Sequence, residues 1–188
     1  MRRGILALLL AGPPALLLGS APGLASLDRD PLPEYPVKAA FLYHFLEFVE
    51  WPRASPLPPA RVTIGVLGRD PFGEVLDKAI LKKIVQGRTL TIRRFASIDD
   101  LEACEILFIS TSEMKQLPQI LERLQGAAVL TVGEADRFAR RGGMIGFVLE
   151  DDRVRLEVNR AAADKAGLQI SSKLLAVARV VKAEGAES

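Results

Sequence analysis

Apolar residues recur every three or four positions from Val37 to Trp51. Val37, Phe41, Phe45 and Phe48 share one helical face, and Leu42, Leu46 and Val49 widen it, while Lys38, Glu47 and Glu50 are expected to point elsewhere. Pro52 stops this helix, and Pro56, Pro58 and Pro59 make the following link extended. Alternating elements follow. Arg61–Leu67 reads as a β-branched strand, and 71–85 as a helix with Asp70 as N-cap and Pro71 at its first position. Thr89–Phe95 is a second strand. Ser97 and Asp100 have the spacing of a capping-box variant and open a short helix to Ala103. Glu105–Ile109 is a strand of the fully buried kind, 112–125 a helix that Pro118 makes irregular, 127–132 another strand and 134–141 a short helix.

After Gly143 the pattern changes. Met144–Leu149 and Arg153–Val158 flank Glu150-Asp151-Asp152 as a hairpin. Asn159 caps a short helix that Gly167 ends, and Ser171 or Ser172 opens a last one with Leu174, Leu175, Ala178 and Val181 on its apolar face. Strands alternating with helices predict one α/β domain over residues 37–188. Its sheet should be mostly parallel, covered by helices on both faces, with the C-terminal hairpin as an antiparallel edge. Residues 26–36, with Pro31, Pro33 and Pro36 among charges, read as an extended lead-in.

The first 25 residues fall outside this pattern. Met1-Arg2-Arg3, an apolar run from Gly4 to Leu18 and the small residues around Leu24 have the three parts of a secretory signal peptide, with cleavage after Ala25. Pro13-Pro14 interrupts the apolar run, which argues against an uncleaved anchor. Export changes the charge. Arg2 and Arg3 carry the whole formal net charge of +2, so the 25 Lys and Arg fall to 23 and balance the 23 Asp and Glu. No positive field remains for nucleic acid or an acidic membrane surface. Cys104 is the single cysteine and is read as a buried hydrophobe. It cannot form an intrachain disulfide, and with one histidine in the chain a Cys/His zinc site is excluded.

Candidate chemistry is sparse. The Gly65–Gly73 run lacks the dinucleotide fingerprint, and Glu74 stands where a phosphate-binding loop needs lysine. Ser110 stands where a phosphoacceptor sheet would carry aspartate. His44 has no local nucleophile or orienting acid and reads as packed among phenylalanines with one nitrogen bonded. No catalytic residue, cofactor or metal is assigned. Two features stand apart. Tyr35, Phe41, Tyr43, Phe45, Phe48 and Trp51 place six of eleven aromatics within 17 positions, and Tyr43 and Trp51 lie off the main stripe. Arg140, Arg141, Gly142, Gly143 and Phe147 combine adjacent arginines with paired glycines, a setting that either grips an anion or simply ends a helix.

These segments carry a resemblance. Val37–Phe45, Phe48–Pro52, Val66–Gly73, Cys104–Ser110, Phe138–Phe147, Val154–Asn159 and Ile170–Arg179 resemble, in order and spacing, the YfiR family across nearly all of residues 26–188. His44 and Gly146 depart from it where the family often has asparagine. The resemblance implies a periplasmic α/β protein that represses an inner-membrane diguanylate cyclase through the cyclase's periplasmic sensor region. Relief by an outer-membrane lipoprotein would raise cyclic di-GMP and promote biofilm formation. Trp51 and the Arg140–Phe147 segment are the candidate partner contacts; a homodimer is left open. The alternative is a small-ligand-binding module for another membrane receptor, with its pocket at the strand ends near Gly68 and Arg69.

Overall fold

The computed structural model describes residues 33–52 and 61–184, so the signal peptide, most of the lead-in and the Pro56–Pro59 link lie outside the described residues. The first described element is α1 (Glu34–Phe48), whose last residue passes directly into β1 (Val49–Glu50). Pro36 sits in the first turn of α1, where a missing N–H costs no hydrogen bond, so the helix starts three residues before the apolar stripe suggests. The buried face of α1 is Lys38, Ala39, Leu42, Phe45 and Leu46. It is therefore rotated from the expected stripe: Phe41 and Phe48 are half-buried, whereas Lys38, expected to point outward, is 4% exposed. His44 is exposed beside the Tyr43 ring and is not packed among phenylalanines; its Nδ1 is paired with Glu47 at 3.0 Å.

The main sheet contains β2 (Arg61–Leu67), β3 (Ile84–Val85), β4 (Arg88–Phe95), β5 (Ile106–Ile109), β6 (Leu130–Gly133), β7 (Ile145–Glu150), β8 (Arg153–Val158) and β10 (Arg179–Val180). Their spatial order is β10-β8-β7-β6-β5-β2-β4-β3. The run β4-β2-β5-β6-β7 is parallel throughout. The hairpin β7–β8 adds the expected antiparallel pair, and β10 lies outside it, parallel to β8. β9 (Gln169–Ile170) leaves this sheet and pairs antiparallel with β1. Asp151 and Asp152 both adopt left-handed backbone (φ 49° and 56°), the two-residue hairpin geometry that Asp tolerates.

Alternation along β5 explains the layering. Ile106 and Phe108 enter one core with α1, α2 (Glu74–Ile80), α4 (Arg160–Lys165) and α5 (Ser172–Val177). Leu107 and Ile109 enter a second core with α3 (Leu117–Arg123) and Phe138. All four β5 residues are fully buried.

Several helices are shorter than periodicity predicts. The 71–85 helix is reduced to α2 because Lys82, Gln86 and Gly87 take left-handed backbone and turn residues 84–85 into an edge strand. Pro118 occupies the first turn of α3, which confines the 112–125 helix to seven residues after a 3-10 turn at Thr111–Glu113. Residues 134–141 form consecutive turns, not a helix, since Arg137 is left-handed (φ 58°). The last helix stops at Val177 and its continuation pairs as β10. The local caps fall where expected: Asn159 and Ser171 open their helices, and the Ser97–Asp100 capping box forms, although it opens only a 3-10 turn at Ile98–Asp100 and not a helix to Ala103.

Candidate functional site

Two regions carry the unassigned polar chemistry. The first is the run between β6 and β7. Asn159, 1% exposed, donates from Nδ2 to the Ala139 carbonyl (3.0 Å), and its backbone N–H reaches the Met144 carbonyl (2.8 Å). Thr131 Oγ1 accepts from the Met144 N–H (3.1 Å). Gly142 supplies left-handed backbone (φ 103°). Gly143 and Gly133 leave room for the Phe138 ring: a Cβ on Gly133 would lie 2.5 Å from it, and one on Gly143 would penetrate its surface. The glycine pair thus has two separate tasks, a reversed turn and a bed for an aromatic ring.

On this rigid base Arg140 donates to Glu157 Oε1 (3.1 Å), itself approached by Arg179, and Arg141 donates to the Met114 carbonyl (3.3 Å). Arg137 pairs with Glu184. Arg137 and Arg141 are exposed and Arg140 is half-buried. Phe147 is 3% exposed, stacked against Phe45 and tilted against Phe41 at 6.1 Å each, so it supports the segment from the core and presents no surface of its own. Trp51 leaves the opposite end of α1, partly buried, and its Nε1 is enclosed without a hydrogen-bond acceptor among the described residues. No hydrogen bond, ion pair or ring contact joins Trp51 to the Arg140–Phe147 segment among the described residues. Trp51 and Phe147 nevertheless pack against the same hydrophobic core.

The second region lies where strand order reverses. Taken by their rank in the chain, the parallel strands run 2-1-3-4-5, so the connections leave β2 and β5 in opposite directions and open a crevice at their C-terminal ends. There Tyr35, Arg69, Pro71, Ser110, Thr111, Ser112 and Glu134 line a cleft of about 450 Å³. Gly68 (φ 86°) allows the β2 loop to approach Ser112; a Cβ there would stand 2.5 Å from its hydroxyl. The Arg69 N–H donates to Ser112 Oγ (3.1 Å). Asp70 does not act as the cap of a helix starting at Pro71. Its carboxylate accepts from the Phe72 N–H (2.7 Å) and from Arg94 (2.7 Å), which also grips Asp77 and the Gly73 carbonyl. Arg94 thereby engages the Asp70 carboxylate and fastens the loop.

At the back of the cleft, Lys38 reaches Glu134 Oε2 (2.5 Å) and Glu34, with its ammonium 4.9 Å from the centre of the Tyr35 ring. Its side chain is 5% exposed and that of Glu134 10%. Burial opposes the Lys38 charge, yet hydrogen bonds and attraction from Glu134 and Glu34 outweigh it and raise the pKa. Burial, reinforced by the Glu134 charge, raises the Tyr35 phenol. The apolar periodicity of α1 concealed Lys38, and no local pattern marked Glu134 after β6; the only signal was a lysine three residues before Phe41 at a helix start. Cys104 is buried as expected, and burial, with the Glu105 charge, pushes its thiol up to about 12.

Comparison with known proteins is decisive at the family level. A family model described as YfiR/HmsC-like matches residues 35–179. The chain belongs to the YfiR/HmsC-like family. Its members are periplasmic regulatory proteins that interact with membrane signalling proteins. No curated protein matches the sequence. Among solved structures, this YfiR/HmsC-like chain is similar to an ABC domain in complex with L-Trp from Streptococcus pneumonia, at 13% identity and TM-score 0.52 over 78% of this chain. It is also similar to a conserved domain protein from Vibrio cholerae O1 biovar eltor, at 15% identity and TM-score 0.51 over 79% of this chain. The chain spans 60% of each of those chains, and at such identities the likeness is one of fold. No helix among the described residues is long and apolar enough to cross a membrane.

Proposed function

We propose that this YfiR/HmsC-like protein is exported by cleavage after Ala25 and acts in the periplasm as a repressor. It binds the periplasmic sensor region of an inner-membrane diguanylate cyclase, which lowers cyclic di-GMP and biofilm formation; an outer-membrane lipoprotein assists release. The observation that carries this reading is the family match across residues 35–179. The fixed basic segment suits it: Arg140, Arg141 and Gly142 form the contact, Gly143 and Phe147 hold it from beneath, and Trp51, packed against the same core as Phe147, is the further contact candidate. Charged residues on a preorganised backbone give specificity and fast association with an acidic partner surface.

The test is affinity capture of the purified protein from solubilised inner membranes, with Arg141→Glu as the control. Capture of a diguanylate cyclase by the wild type, lost in Arg141→Glu at unchanged melting temperature, is the expected result. Capture of an unrelated receptor, or of a cyclase equally by both proteins, refutes respectively the partner or the contact. A second reading, a small-ligand-binding module for another membrane receptor, draws on the cleft at Gly68 and Arg69. The two are compatible, because a ligand can bias a partner equilibrium.

A further inference from the structure

We propose, resting on the ligand-module reading, that the cleft between the β2 and β5 ends binds a small carboxylate that carries a hydrogen-bond donor. The Arg69 side chain is exposed, lines the cleft and makes no hydrogen bond or ion pair among the described residues. Its neighbour Asp70 is already taken by Arg94, so no carboxylate of the same loop competes for that guanidinium. A planar fork with free donors is suited to a planar carboxylate.

Across the cleft the situation is reversed. Lys38 is shared between two carboxylates, leaving the Lys38–Glu34–Glu134 group with one net negative charge. Only Oε2 of Glu134 is engaged by Lys38, and Glu134 lines the cleft, so Oε1 is available to a donor. Between these poles lie the Ser110 hydroxyl, 5% exposed, which accepts from the Ser112 N–H (3.4 Å) and retains its own proton to donate, and the exposed Thr111 hydroxyl. Tyr35, braced edge-on by Phe72 with ring centres 5.7 Å apart, and Pro71 supply apolar walls. Together Arg69, Lys38, Glu34 and Glu134 sum to zero charge. A phosphate dianion would meet Arg69 but face the Glu134 charge. A monocarboxylate with an ammonium or hydroxyl group satisfies both poles. The volume, about 450 Å³, falls in the lower part of the range of ligand pockets, roughly 300–1,000 Å³.

The experiment is a thermal-shift and calorimetric titration of the purified protein with glycine and serine (ammonium donors), glycolate and lactate (hydroxyl donors), acetate, inorganic phosphate and glycerol. A carboxylate bearing a donor should raise the melting temperature by roughly 5–10 °C at a hundred-fold excess over Kd. Arg69→Met, which removes no side-chain hydrogen bond or ion pair among the described residues, should weaken binding about ten-fold or more. The ammonium and hydroxyl arms distinguish the two donors. Binding of phosphate or glycerol instead, lost in Arg69→Met, overturns the ligand class and leaves the module reading standing. Carboxylate binding that survives Arg69→Met overturns the site. Absence of binding by every compound to a folded protein overturns both.

Discussion

Replacing Lys38 with methionine tests whether the charged group behind the cleft holds α1 to the sheet. The ammonium bonds both Glu134, whose side chain is 10% exposed, and Glu34, whose side chain is 37% exposed. Methionine keeps the aliphatic volume and removes the charge, so Glu134 is left nearly buried without its partner. Breaking a buried pair from one side costs about 3–5 kcal/mol, and the cleft side of Glu134 keeps the effect near the lower end of that range. Glu34 turns toward water and adds less than about 1 kcal/mol. The expected loss is therefore about 3 kcal/mol, or roughly 6–12 °C in Tm for a chain of this size. The double variant Lys38→Met/Glu134→Gln removes both charges and should recover about 2 kcal/mol of that loss. Urea unfolding followed by circular dichroism measures all three proteins. A single variant within about 0.5 kcal/mol of wild type, or a double variant no more stable than the single, refutes the reasoning. The pH dependence supplies a second arm. Because the folded-state pKa of Lys38 lies above the ordinary value of 10.5, its contribution is complete below that pH and drains as pH rises through the folded value. Wild type should lose this share of stability in alkali, and Lys38→Met should not.

Three further outcomes follow from the same structure. Asn159→Ala removes the acceptor for the Ala162 N–H and the donor to the buried Ala139 carbonyl, and should cost about 2–4 kcal/mol in urea unfolding. Gly143→Ala drives a methyl into the Phe138 ring and should cost about 1–3 kcal/mol, with part of the loss recovered when Phe138 is also cut to leucine. Cys104, with its thiol pushed up to about 12 by burial, should resist a disulfide reagent at pH 8 in the folded protein and react fully in urea; rapid labelling of the native state would refute its burial.

The parallel sheet was legible because its strands are short apolar runs bounded by turn residues, and Arg61–Leu67 matches end to end. Caps were legible for the same local reason: Asn159 and Ser171 act on backbone groups three residues away. Helix lengths were not. Periodicity continues through residues 81–85 and 134–141, but left-handed backbone at Lys82 and Arg137 ends helical geometry without changing the apolar count. The cleft was visible only as an address, the strand ends near Gly68. Its charged members come from elements far apart in the chain, with Lys38 meeting Glu134 across 96 positions, and no local pattern encodes that meeting. The Gly142–Gly143 pair signals positive φ or close backbone approach, but which group approaches, the Phe138 ring five residues before Gly143, is set by tertiary packing.

The order of strands in the chain has a consequence for how the molecule assembles. The first strand of the main sheet, β2, is an interior one, and β4 and β5 each dock on one of its two free edges. β6 and then β7 extend the side that β5 opens, so each parallel strand meets an edge already formed and none must be threaded between two others. A chain delivered from its N-terminus can thus crystallise outward from β2 as it emerges. The last pairing is the two-residue β10, fastened by Arg179 to Glu150 and Glu157. Slow exchange of amide hydrogens should accordingly mark β2 and β5, and the β10 rim should be the first part of the sheet to open.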